Sequence, residues 1–168
     1  MRTHYQLNEI AIRYRGKILN ELMMLEKFID LYITDYFTNS DEHKSFEMQL
    51  LIVGDNRISF ESKRQIFHFL AEKYDKEWYT SYKSVKYSVV KKDVVVMNKD
   101  LVYIIEQRNV LAHRILDTSP EALADDKGIY FLTFKNELAE IYFTEKTFIE
   151  LKVMIGNITK HLSKKFKK

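Results

Sequence analysis

The chain has 168 residues, 46% of them hydrophobic and 30% charged, which is enough for one domain with its own core and too apolar for a disordered tail. Four Gly and one Pro leave little turn chemistry for a sandwich or barrel, so helices should dominate. Lys and Arg outnumber Asp and Glu by only 27 to 24, and the absence of Cys excludes disulfides, thiolate metal sites and a Cys nucleophile.

Between Lys17 and Phe37 the residues Ile18, Leu22, Leu25, Ile29, Tyr32 and Tyr36 step by three and four, one face of a helix about 30 Å long. Met23, Met24, Phe28, Ile33 and Phe37 widen that stripe, so contact on two sides is expected. Tyr5 to Tyr14 reads either as an extension of this helix or as a separate short segment. Phe46 to Val53 reads as a short helix, with a strand as the alternative, ended by Gly54-Asp55-Asn56. Ser59 is placed to cap a third helix reaching Tyr74, with Ile66, Phe67, Leu70 and Tyr74 inward. The segment 75–92, rich in Tyr and Lys, has no clear periodicity. Its rings, from Trp78 to Tyr87, either cap the core or stack bases beside Lys76, Lys83 and Lys86.

The strongest helical signal spans 94–116. Val94, Met97, Leu101, Ile104, position 108, Leu111 and Ile115 form one stripe, and Val102, Ile105, position 109, Ala112 and Leu116 a second. After Asp117-Thr118-Ser119-Pro120, the runs 129–134 and 141–144 are β-branched or aromatic and predict a hairpin around a loop at 135–140. Thr144 can then cap a last helix with Phe148, Leu151, Ile155, Ile158 and Leu162 on one face. The fold class expected is all-α, one domain over 1–168, a helical bundle with a small β-hairpin near residues 129–144.

The charge is uneven along the chain. No acidic residue follows Glu150, whereas Lys152, Lys160, Lys164, Lys165, Lys167 and Lys168 do, so a +6 end follows a −3 body. Such an end either meets phosphates or complements a final helix dipole and aids solubility. No apolar run reaches the roughly 18–20 residues that span a bilayer, and Met1 to Ile10 lacks a secretory apolar core, which predicts a soluble, cytoplasmic protein without a membrane partner.

Two residues break the stripes of the 94–116 helix: Arg108 and Asn109. A buried guanidinium cannot shed its proton and a buried amide needs partners, so polar groups should face them. His113 stands one turn beyond Asn109 on the same face. Arg108 and His113 are roughly 140° apart around a straight helix, so the long Arg stem, a bend or a second copy of the helix must bring both onto one phosphate. Glu106 and Asp117 lie on the His113 side and could orient its imidazole, with Arg114 competing for Asp117. The competing reading of Arg108 and Asn109 is a polar network that fixes register or dimerisation. His4, His43, His68 and His161 lack partners at metal-ligand spacing and read as surface residues.

Arg108-Asn109-Val110-Leu111-Ala112-His113 resembles the signature of the HEPN family, an Arg, four to six residues, then His, often with Asn, Asp or His directly after the Arg. The resemblance implies a helical-bundle homodimer whose two motifs face each other in a cleft, and in many members a metal-independent endoribonuclease with no cofactor. In that reading His113 is the general base or acid, Arg108 holds the scissile phosphate, and Asn109 orients one of them. The products are a 2′,3′-cyclic phosphate and a free 5′-hydroxyl. Family members often serve as toxins in toxin–antitoxin or anti-phage systems beside a nucleotidyltransferase antitoxin. The alternative within the same resemblance is a non-catalytic module binding a nucleotide, an RNA or a protein.

Overall fold

The computed structural model describes residues 1–55, 57–87, 95–134 and 137–166. Among the described residues 72% are helical, in seven helices with one small three-stranded antiparallel sheet, as the composition and periodicity require. Val94, Asn56, Lys135, Lys167 and Lys168, together with 88–92, fall outside the described residues.

The whole N-terminal stretch is one helix, α1 (His4–Thr38, 35 residues), so Tyr5 to Tyr14 is an extension and the rod is about 52 Å long. Thr3 and Gln6 form a capping box at its start, and Asn39 turns left-handed at its end with φ 52°. Ile18, Leu22, Leu25, Ile29 and Tyr32 are buried as the spacing demands. The widened stripe is only partly used: Ile33 is buried and Phe28 half-buried, but Met23, Met24, Phe37 and also Tyr36 lie open. Next come α2 (Glu42–Met48) and a π-helical turn at Gln49–Val53 that leaves Leu50, Leu51 and Ile52 exposed. The Ser59 hydroxyl accepts from the Ser62 amide at 3.1 Å and starts α3 (Phe60–Tyr74), which buries Phe67 and Leu70 while Ile66 and Tyr74 stay exposed. α4 (Lys76–Thr80) follows at once.

Helix α5 (Val96–His113) sinks Met97, Leu101, Ile104, Ile105 and Leu111 into the core. It runs against α1, because Asn98 meets Arg64 beside the Lys63 that pairs with Glu26 and Asp30, while at the other end Arg15 holds the Arg114 carbonyl. The expected continuation to Leu116 does not occur. Arg114 is already extended (φ −88°, ψ 149°), and Ile115–Leu116 form β1. The reason is pairing that periodicity cannot register: Ile115 faces Leu132 and Leu116 faces Phe131 across an antiparallel ladder. A short helix, α6 (Pro120–Ala124), is capped by Ser119. The hairpin is β2 (Gly128–Phe134) and β3 (Leu138–Thr144), giving the order β1-β2-β3, with β3 starting at Leu138 rather than at Ile141. Ile129, Phe131 and Phe143 face the core, whereas Tyr130, Leu132, Phe134, Leu138 and Tyr142 lie on the outer face.

Thr144 accepts from the Thr147 amide at 3.1 Å and starts α7 (Glu145–Ser163), whose Phe148, Leu151, Ile155, Ile158 and Leu162 are all buried. Tyr14 stacks on Phe148 at 4.5 Å, Glu21 pairs with Lys152 at 3.1 Å and Phe28 meets Phe166 at 6.1 Å, so α7 runs parallel to α1. Tyr79, fully buried, and Tyr82 join the core, and Trp78 stacks between Tyr32 and His161 at 5.7 and 5.1 Å. The 78–82 rings therefore close the core. No helix among the described residues is long and apolar enough to cross a membrane.

Candidate functional site

Helix α5 ends at His113, and that ending builds the site. Arg108 stays on the core-facing side by angle but is only half-buried, while Asn109 and His113 are exposed. The expected buried polar interruption is thus corrected: these residues stand at the rim of the bundle. On the same turn Val110 and Leu111 are buried, so only the Asn109 and His113 side of the helix end lies open. The Arg108 guanidinium curls round the helix, and its Nη1 donates to Asn109 Oδ1 at 3.0 Å and to His113 Nε2 at 3.2 Å. The long Arg stem brings its head to His113 within a single chain. A guanidinium has only donors, so Nε2 accepts here and the imidazole carries its proton on Nδ1.

Among the described residues neither carboxylate placed near His113 by spacing makes a hydrogen bond or ion pair with it. Asp117 is buried and accepts from the Ser119 amide at 2.9 Å and its hydroxyl at 3.1 Å, so it shapes the turn before α6. Glu106 is exposed and lines a cleft of about 580 Å³ with Gln107, Asn109, Val110 and Arg114, closed opposite by Thr133 and Ile141 of the hairpin. Asn109 is therefore a wall shared by the cleft and the Arg108–His113 pair.

Sequence reasoning missed Arg15. From α1, 99 residues away in sequence, its Nη2 donates to the Arg114 carbonyl at 2.8 Å, and its guanidinium lies 5.3 Å from the centre of the Phe131 ring. It ties the end of α5 to α1 and to the sheet, which fixes where His113 sits. No local pattern marks such a long-range bond. Nearby, Tyr14 is held at about 12 by burial, then by its bond to the Glu145 carboxylate at 2.5 Å, so it stays a neutral donor that anchors the start of α7.

Two other histidines, read as surface residues, are half-buried. His68 Nδ1 lies 3.0 Å from the Tyr79 hydroxyl and His161 Nε2 donates to the Trp78 carbonyl at 3.1 Å, with burial pushing both below the ordinary imidazole value. Neither is near Arg108 in the hydrogen-bond network. Among the described residues no group of three or more His, Asp or Glu side chains converges as a metal site requires. A groove of about 600 Å³ between α1 and α7, lined by Asn20, Met24, Gly156 and Thr159 among others, contains none of the three motif residues. Comparison with known protein families, with curated proteins and with solved structures finds no match to this chain.

Proposed function

We propose that the chain is a HEPN-type, metal-independent endoribonuclease acting through Arg108, Asn109 and His113 at a homodimer interface. The observation that carries this reading is the single nitrogen of Arg108 reaching both Asn109 Oδ1 and His113 Nε2 on an exposed helix end. A phosphodiester entering there draws the guanidinium onto its oxygens, since a charge-assisted bond to an anion outcompetes one to a neutral imidazole. That movement frees Nε2 as an acceptor. Nε2 takes the ribose 2′-hydroxyl proton, the 2′-oxygen attacks phosphorus, and the 5′-oxygen leaves with a proton from the imidazolium of the second copy. Arg108 stays on the phosphoryl oxygens as their charge grows, and Asn109 limits where the guanidinium can go.

The purified protein should cleave single-stranded or structured RNA in EDTA, leaving 2′,3′-cyclic phosphate ends. His113→Ala should abolish cleavage, and an equally fast His113→Ala protein would end the assignment. On this reading the biological role is a toxin of a toxin–antitoxin or anti-phage system, paired with a nucleotidyltransferase-type antitoxin, and the site of action is the cytoplasm. Growth arrest on expression of wild type but not of His113→Ala tests that role.

One observation favours a second reading, a non-catalytic binding module: Nε2, the atom required as base, is already engaged by Arg108. That reading requires RNA or nucleotide binding with no turnover.

A further inference from the structure

We propose that the cleft beside the motif is a guanine pocket that selects the base next to the cleaved bond. The inference rests on the cleavage reading only for the phosphate at Arg108. The pocket itself stands on its own geometry.

The cleft, about 580 Å³, has the size of a small-molecule site and the mixed lining a base requires. Val110 and Ile141 supply apolar surface for the faces of a ring, and Val110 is itself 9% exposed, so that wall is firmly packed. Glu106, Gln107, Arg114 and Thr133 supply polar atoms for its edges. Among the described residues, none of the side-chain hydrogen bonds or ion pairs engages Glu106, Gln107 or Thr133, and Arg114 is bonded only through its backbone.

The charges decide which base fits. A carboxylate accepts two parallel donors, and guanine alone presents two side by side, N1–H and the 2-amino group. Its opposite edge offers O6 and N7, the pair a guanidinium reads in bidentate fashion. Adenine and cytosine place a ring-nitrogen lone pair where guanine has N1–H, and would set it against the Glu106 carboxylate. Uracil flanks its one N–H with two carbonyls. A pocket holding both Glu106 and Arg114 therefore matches guanine on two edges and every other base on one at most.

Position ties the pocket to the chemistry. Asn109 lines it and also receives the Arg108 hydrogen bond, so a base seated there has its sugar and phosphate next to the guanidinium. The reading also explains why a carboxylate sits two residues from a phosphate-binding Arg. Glu106 would repel a phosphate, but it faces the cleft and meets base edges instead.

The test uses His113→Ala full-length protein, so that RNA stays intact, and hexauridylates carrying one central guanine, adenine, cytosine or uracil, read by fluorescence anisotropy. Guanine should bind about ten-fold tighter than the others, the discrimination of one bidentate contact. Glu106→Gln, added to the same protein, should remove that preference, and Arg114→Gln serves as the second variant should the first fail to fold. Equal binding of all four, or a guanine preference that survives both substitutions, would overturn the pocket. Cleavage of RNA by the wild-type chain in EDTA would still stand in that case. Conversely, a guanine preference that Glu106→Gln removes, in a chain that cleaves nothing, would keep the pocket and end the nuclease assignment.

Discussion

Arg108 shows how one side chain can unite groups that helix geometry separates. Its head serves Asn109 and His113 rather than the core, so truncation should cost function and not fold. Arg108→Ala should shift unfolding free energy by no more than about 0.5 kcal/mol while lowering RNA cleavage by about a hundred-fold or more, the usual scale for an electrostatic donor in an active site. Urea unfolding beside a cleavage assay separates the two, and a large loss of stability would return Arg108 to a structural role. Asp100 is the opposite kind of residue. It is fully buried, accepts from Tyr82 at 2.8 Å and Ser84 at 2.9 Å, and burial pushes its carboxyl above the ordinary range against those bonds and the charges of Lys86 and Lys99. Because the folded value is raised, the stability it contributes is complete below the unfolded value and is lost as pH rises through the folded one. Asp100→Asn keeps the shape without the charge, so it should gain on wild type in urea unfolding as pH rises above the ordinary carboxylate value of about 4. Parallel stability curves would show that the carboxylate is not penalised.

At the scale of elements, caps and close approaches make sharper demands than propensity. Thr144 starts α7 with a 3.1 Å bond, and Thr144→Ala should cost about 1 kcal/mol in thermal or urea unfolding. Gly128 opens β2 where a Cβ would clash with the Tyr142 ring and meet the Phe143 carbonyl oxygen at 2.9 Å. Gly156, within α7, has open space around the same position. Gly128→Ala should therefore destabilise, whereas Gly156→Ala should stabilise by about 0.5–1 kcal/mol through helix propensity. Should both move stability in the same direction, this account of the sheet's start fails. Much of this level is legible locally: Ser59, Thr144 and the α7 stripe behave as their sequence says. The end of α5 is not, since Ile115 and Leu116 continue a helical pattern that also suits a two-residue strand.

For the whole molecule, the composite site makes a concentration argument. On the proposed reading two copies would supply base and acid, so cleavage per chain should rise with protein concentration alongside dimer content in sedimentation velocity. Full activity in a sample that sediments only as monomer would end the composite site. Around the motif the described charges lean positive, with Arg108 and Arg114 against Glu106, and added salt should weaken RNA binding. The lysine-rich end contributes less to such a field than its count implies. Lys165 pairs with Asp75 at 2.5 Å and Lys152 with Glu21 at 3.1 Å, so two of its charges are spent on the bundle.

The sequence by itself determined the helices with uninterrupted stripes, the caps at Ser59 and Thr144, the hairpin and the motif residues, because each is encoded within a few residues of itself. Only the tertiary structure decided that α5 stops at His113, that Arg108 is half-buried there, that Arg15 holds the Arg114 carbonyl and that the hairpin lines the cleft. Those outcomes depend on contacts between segments far apart in the chain, whose partners compete with local preference on equal terms: a strand pair and one guanidinium on a carbonyl.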